Sequence, residues 1–285
     1  HTASLREIGA LVAEACIEPA VPDAPCLTAR TRYSEMRVGG AFGSKGVVAP
    51  EVAAIACAAE ELARPVRWTE DRAENFLAAY QGRGLDADVE LAVASDGRIL
   101  GLRATLYADL GAYLYATTAV APHTTAMLIT GAYVIPAARV EVVGAATTKV
   151  PTGPYRGAGR PEAAFLIERM VDLAARDLGI DAIELRRRNF VQPEAFPYET
   201  PMGWTYDSGD FERCLDAALE LASWERWAEL RAEARAEGRV VGIGVGMYIE
   251  RAGGLWESAH VRVEADGRVV VRTGSSPHGQ GHVTT

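Results

Sequence analysis

Between residues 88 and 113 apolar and polar positions alternate. Val89, Leu91 and Val93 take one side, Ser95-Asp96-Gly97 supplies a turn, and Leu100, Leu102, Ala104 and Leu106 return. That period of two predicts a β-hairpin with one buried face. Residues 140–145 read as another strand, and the period then lengthens. Phe165, Met170, Leu173 and Leu178 fall on one side of a predicted helix, with Glu168, Arg169, Asp172 and Arg176 between them and Gly179 at its end. Further helices are expected at 5–15 (Leu5, Ile8, Leu11 and Val12 inward), at 51–63 behind Pro50, within 117–130, and at 211–221 behind Asp210. The helix at 51–63 is rich in alanine, suited to close packing, and Pro65 stops it before a short strand at 66–68. Asp181 and Glu184 predict a capping box for a short helix ending near Arg188 and Asn189. A charged helix at 226–237 closes with Gly238, read as a domain boundary because its outer face is nearly all Glu and Arg. Strands follow at 242–250, 260–265 and 269–273, with Asp266-Gly267 as a turn. Residues 16–37 show neither period and read as loop. The fold class is α/β (mixed α+β).

With 285 residues, 49% of them apolar and 24% charged, the chain can bury a large core as one or two domains. Its net charge of −9 argues against a nucleic-acid partner, so an anion site has to be local. No apolar run reaches the roughly 18 residues of a membrane span, and Pro122, His123 and Pro136 break the longest ones. Cys16, Cys26, Cys57 and Cys214 form no C-x-x-C pair, so no zinc or iron–sulphur site is expected on this chain. They read as reduced, partly buried thiols of a cytoplasmic protein. A start at His1 and a stop at Thr285 just beyond a glycine-rich stretch suit a fragment of a longer subunit.

Candidate chemistry sits in three glycine loops. Pro154-Tyr155-Arg156-Gly157-Ala158-Gly159-Arg160-Pro161-Glu162 runs into the N-terminus of the helix at 160–178, where amides and guanidinium forks favour an anionic, phosphate-bearing ligand. Val38-Gly39-Gly40-Ala41-Phe42-Gly43-Ser44-Lys45-Gly46 has its glycines too close together for a nucleotide-hydrolysing P-loop, but it can bring main chain close to a ligand. In His278-Gly279-Gln280-Gly281-His282 the glycines disfavour a helix, and with it metal ligation by the two histidines, while Gln280 suits amide recognition of a polar ligand. Taken singly, each loop also reads as an ordinary cap or turn. His123 reads as a structural donor.

In this order the three loops resemble those of the molybdopterin-binding large subunit of the xanthine dehydrogenase, aldehyde oxidase and aerobic carbon monoxide dehydrogenase family. The match continues through Glu168-Arg169, Asp172, Leu178-Gly179 and Glu184 to Asn189 and covers about residues 38–285. The resemblance implies a first molybdenum-cofactor-binding domain at 38–238, the start of a second at 239–285, and a poorly matched segment at 1–37. It implies a molybdenum hydroxylase that inserts water-derived oxygen into an aldehyde or N-heterocycle while two electrons reduce Mo(VI) to Mo(IV). The backbone around Phe42 and Gly43 would face the molybdenum, with Gly40 and Ala41 among the cofactor-binding residues. Arg156 would contact the pterin, with Gly157, Ala158 and Gly159 also cofactor-binding, and Gln280 with Gly279 and Gly281 would hold the pterin or its dinucleotide extension. Iron–sulphur and flavin (FAD) centres would come from partner subunits, in a dimer of heterotrimers.

Departures from the family narrow the expectation. Ala158 stands where purine-oxidising relatives have a stacking phenylalanine, and no arginine lies near Thr124, which disfavours xanthine. Gly157 stands where carbon monoxide dehydrogenases carry a copper-binding cysteine, which disfavours that mechanism. The family's catalytic glutamate lies in a motif that this chain lacks, so turnover by the chain alone is not expected, and neither Glu162 nor Glu168 takes that role. The rival reading from another class is a non-catalytic phosphate- or nucleotide-binding module.

Overall fold

The alternation at 88–113 folds into an antiparallel hairpin, β1 (Leu85–Val93) and β2 (Ile99–Gly111). The computed structural model that shows this describes residues 40–45, 50–250, 258–274, 279 and 281. The helix expected at 5–15, the loop at 16–37, Cys16, Cys26, His278, Gln280 and His282 lie outside the described residues. Within the hairpin, Ala92 faces Gly101 but Val93 faces Ile99. Leu100 is thus the extra residue of a bulge; it points outward at 49% exposure, and Ile99 takes its expected inward place.

Among the described residues two helices precede the hairpin, α1 (Pro50–Glu61) and α2 (Arg72–Ala78). Pro50 opens α1 as expected, yet none of its residues is buried, so its alanine face packs less closely than its composition predicts. The strand expected at 66–68 is absent, because no other strand pairs with those residues. The sequence reading made no assignment for α2, although its signal is present. Glu74 N–H donates to Asp71 Oδ1 at 2.8 Å and Asp71 N–H donates to Glu74 Oε2 at 2.9 Å, which together make a capping box.

β3 (Ala138–Ala146) joins the sheet parallel to β2, in the order β1-β2-β3. A parallel neighbour needs a crossover, and α3 (Val120–Leu128) lies within it. Gly179, left-handed at φ 66°, ends α4 (Arg160–Leu178) as expected. The buried face of α4 is Ala163, Ile167, Val171 and Ala175 with Glu168, whereas Phe165 is 68% exposed. The expected face was therefore misassigned. Small and branched residues four apart suit the close contact with α3 and β1; Ile167, Val171 and Ala175 share a core with Leu102, Ala104, Leu106 and Tyr133, and Ala163 packs with Leu128 and Tyr206.

α5 (Ala182–Asn189) is capped by Asp181, whose Oδ1 accepts from Ile183 N–H at 2.9 Å and Glu184 N–H at 3.0 Å. The other half of the expected box is missing because Glu184 turns to Arg188 at 2.8 Å. The end of α5 holds the hairpin turn. Asn189 donates to Gly97 O and accepts from Ile99 N–H, each at 2.8 Å.

The chain continues through the small pair β4 (Tyr198–Glu199) and β5 (Thr205–Tyr206) to α6 (Phe211–Leu221), capped by Asp210 as expected, and α7 (Trp227–Ala236). Residues 242–250 form no strand, contrary to the alternation. Val245, Met247 and Ile249 do alternate inward, but they pack on the core rather than pair with a sheet. β6 (Ala259–Val263) and β7 (Val269–Thr273) form the expected last hairpin. Cys57 and Cys214 are exposed rather than partly buried, because both sit on outward helix positions. No helix among the described residues is long and apolar enough to cross a membrane.

Asp109 ties the end of β2 to the chain leaving β3. Lys149 Nζ and Thr147 Oγ1 each lie 2.7 Å from its carboxylate, and Gly111 N–H donates to it at 3.0 Å. These partners, Lys149 foremost, lower its pKa from 3.8 to about 2. Folding therefore favours the ionised form, so this contribution is present above pH 3.8 and is lost as pH falls towards about 2. Thermal melts should show Asp109→Asn less stable than the parent at neutral pH. The gap should close between pH 4 and pH 2, and a constant gap would refute the assignment.

Candidate functional site

The chain leaving β3 runs beside residues 80–84. Gln81 N–H donates to Pro151 O at 3.2 Å, and Gly153 N–H donates to Gln81 O at 2.9 Å. Glycines allow this approach: a Cβ on Gly153 would lie 2.4 Å from the Tyr80 ring, and one on Gly82 would lie 2.7 Å from Tyr155 Cβ. Sequence and contact therefore deliver Tyr155 and Arg156 to a fixed place at the head of α4.

There the first glycine loop meets the central one. Arg156 N–H donates to Phe42 O at 2.8 Å, and the Tyr80 hydroxyl donates to Gly43 O at 2.5 Å. A Cβ on Gly43 would stand 2.6 Å from Pro154 O. The third loop arrives at the same place, since a Cβ on Gly279 would lie 2.7 Å from Gly40 Cα. Gly40, Phe42, Gly43, Arg156 and Gly279 are thus brought together. Ala41 lies in the same turn and its carbonyl accepts from Ser44 Oγ at 3.3 Å. Gly281 is left-handed at φ 80°, and Gln280 lies outside the described residues.

The backbone here is unusual. Gly157, Ala158 and Gly159 have φ of 97°, 43° and 96°, and Phe42 has φ of 50°. Each left-handed non-glycine residue costs about 1–2 kcal/mol, so Phe42 and Ala158 hold conformations that the surrounding contacts must impose. Packing requires Gly159 to be glycine: its Cβ would fall 2.1 Å from Ala121 O and 2.8 Å from Thr125 N, on α3.

The electrostatics favour an anion. Arg156 places its guanidinium 5.6 Å from the Phe42 ring centroid and has no carboxylate partner among the described residues. By contrast, Arg83, Arg160, Arg186, Arg187 and Arg188 are all paired. The amides of Gly157 and Gly159 donate no hydrogen bond among the described residues. The nineteen-residue helix α4 adds the positive end of its dipole.

Neither nearby carboxylate is free for proton transfer. Glu162 is paired with Arg83 at 3.2 Å, and buried Glu168 accepts from Tyr133 and Arg186. His123 is exposed on α3, and no metal-binding cluster occurs among the described residues. The supporting residues that the sequence reading missed are Tyr80 and Arg83. A signal existed in Gln81-Gly82-Arg83-Gly84, another arginine between glycines.

The family described as a molybdopterin cofactor-binding domain matches residues 27–190, over half of the chain, and a second of that description matches residues 217–285. This chain belongs to the molybdopterin cofactor-binding domain family. Its kind is the molybdopterin-binding large subunit of the xanthine dehydrogenase family. It is 38% identical over 256 residues to the 6-hydroxypseudooxynicotine dehydrogenase complex subunit gamma of Paenarthrobacter nicotinovorans, with 88% of this chain and 32% of that one covered. It is 36% identical over 274 residues to the carbon monoxide dehydrogenase large chain of Hydrogenophaga pseudoflava, with 90% and 34% covered. Among solved structures, quinoline 2-oxidoreductase from Pseudomonas putida 86 superposes with a TM-score of 0.80 at 37% identity, with 86% and 33% covered. The chain spans about a third of the length of these relatives. The residues present fit the family's cofactor: an unpaired guanidinium, undonated amides and a helix N-terminus suit a phosphate-bearing pterin.

Proposed function

We propose that this chain is the part of a molybdenum hydroxylase large subunit that holds a molybdopterin, in its dinucleotide form, between the three glycine loops. The observation that carries this reading is their meeting, with Arg156 N–H on Phe42 O at 2.8 Å and the Arg156 side chain left without an acidic partner among the described residues. When bound, the cofactor supplies two-electron redox chemistry that hydroxylates a substrate with water-derived oxygen. The chain's own part is to bind and orient. Arg156 balances phosphate charge, and the Phe42 ring shields the guanidinium from water. Gly40–Ala41–Phe42–Gly43, Arg156–Gly157–Ala158–Gly159 and the described Gly279 and Gly281 present main chain at close range.

An aldehyde or N-heterocycle is the substrate class in this reading. The names of the quinoline- and pseudooxynicotine-oxidising relatives favour ring compounds, and Gly157 offers no thiol for copper. Electrons pass to iron–sulphur and flavin partner subunits in a cytoplasmic dimer of heterotrimers. The division into residues 1–37, 38–238 and 239–285 belongs to the same proposal. Elemental analysis and pterin detection on the protein as its host makes it test the reading. Near-stoichiometric molybdenum and pterin are expected, with occupancy reduced about tenfold in Arg156→Ala, the factor of roughly one lost charge-assisted contact. A folded parent with neither would leave a phosphate-binding module in its place.

A further inference from the structure

Resting on that reading, we propose that Arg83 is a positioning residue that sets the peptide plane between Arg156 and Gly157 and so presents the Gly157 amide to the ligand. Its Nη2 donates to Arg156 O at 2.6 Å, and its Nη1 reaches Tyr155 O at 3.4 Å and both Glu162 oxygens at 3.2 Å. The guanidinium also stacks on Tyr155, 5.1 Å from the ring centroid. Glu162, in the first turn of α4, therefore fixes a cation that in turn holds two successive carbonyls of the central loop.

Geometry turns this into an effect on the ligand side. A trans peptide is planar, with its C=O and N–H pointing opposite ways. Holding Tyr155 O towards Arg83 sends Arg156 N–H the other way, and that amide meets Phe42 O at 2.8 Å. Holding Arg156 O likewise aims Gly157 N–H away from Arg83, and that amide has no acceptor among the described residues. Arg83 itself is left-handed at φ 67°, between Gly82 and Gly84. The Arg83 side chain is 36% exposed and that of Glu162 11%, so the pair is partly buried and holds the guanidinium in place beneath the loop. In this conformation the one guanidinium reaches both carbonyls, Arg156 O at 2.6 Å and Tyr155 O at 3.4 Å.

Arg83→Gln and Arg83→Lys should be compared with the parent protein in the form its host makes. The readouts are molybdenum and pterin per folded protein, melting temperature, and tryptic cleavage at the Arg156–Gly157 bond followed by mass spectrometry of the released peptides. Arg83→Gln is expected to raise the cleavage rate at that bond about tenfold and to lower molybdenum occupancy several-fold, with cleavage unchanged at every other site but the deleted Arg83–Gly84 bond. Arg83→Lys, which keeps the charge but not the fork, should fall between the two. Unchanged cleavage and occupancy in Arg83→Gln would overturn the assignment. Should Arg83→Gln raise cleavage at all sites through unfolding, Glu162→Gln decides, because it loosens Arg83 without deleting it. Increased cleavage confined to Arg156–Gly157 supports the proposal, and a uniform increase or none rejects it. A parent protein that lacks molybdenum and pterin removes the cofactor reading, while the cleavage comparison still tests the clamp.

Discussion

Arg186→Met is expected to destabilise the fold by about 3–5 kcal/mol, the cost of leaving a buried charge without its partner. The Arg186 side chain is 1% exposed and that of Glu168 8%. Arg186 donates to Glu168 at 2.9 Å, Ala182 O at 3.0 Å, Asp172 at 2.9 Å and Val245 O at 3.1 Å. Tyr133 donates to the other oxygen of Glu168. Burial, then the neighbouring Glu168 charge, holds the Tyr133 hydroxyl well above the ordinary tyrosine range, so it stays a donor. Burial opposes the Arg186 charge, but Glu168 and Tyr133 outweigh it and raise its pKa. A fall in melting temperature on the order of 10 °C is the expected readout. The triple variant Arg186→Met, Glu168→Leu, Tyr133→Phe, which also removes the hydroxyl that would lose its acceptor, should recover much of the loss, since apolar replacement of a whole buried polar network is often neutral. Equal losses in the single and triple variants would show that something other than the unpaired carboxylate is responsible. The same arginine anchors residues 242–250, so its loss should also free the segment that brings Glu250 to within 2.9 Å of Arg160 at the head of α4.

Gly159→Ala should be at least as damaging, on the order of 4 kcal/mol or more, and should remove bound molybdenum together with stability. The added Cβ would meet backbone, Ala121 O at 2.1 Å and Thr125 N at 2.8 Å, which no side-chain rotation can relieve. Gly179, at the other end of α4, is the control. It too is left-handed, at φ 66°, but nothing lies within 4 Å of its missing Cβ. Gly179→Ala should cost only the conformational penalty, about 1–2 kcal/mol. Similar melting temperatures for the two variants would show that conformation, not contact with α3, is what Gly159 provides.

Local order was legible in the chain. The hairpin, the Asp181 and Asp210 caps and the Gly179 stop follow from period and dihedral preference within a few residues. The three glycine loops were visible too, because glycine clusters mark places where the backbone turns left-handed or comes close to another chain segment. Which segments those were was not visible. Gly43 fits under Pro154, Gly153 beside Tyr80 and Gly159 against Ala121, partners set by the path of the chain through the sheet.

Patterning misled where several faces were apolar. α4 carries hydrophobic residues around most of its surface, and the match of Ala163, Ile167, Val171 and Ala175 to α3 and β1 decided that Phe165 stays outside. The bulge at Leu100 was hidden because two adjacent apolar residues could each continue the alternation. By itself, then, the sequence determined the elements, their caps and the loops that carry candidate chemistry. Only the tertiary structure decided that Glu168 is the buried partner of Arg186 and Tyr133, and that Arg83 holds a carbonyl 73 residues away. Periodicity and capping act over one or two turns of chain, whereas charge pairing and backbone approach depend on which surfaces folding brings together.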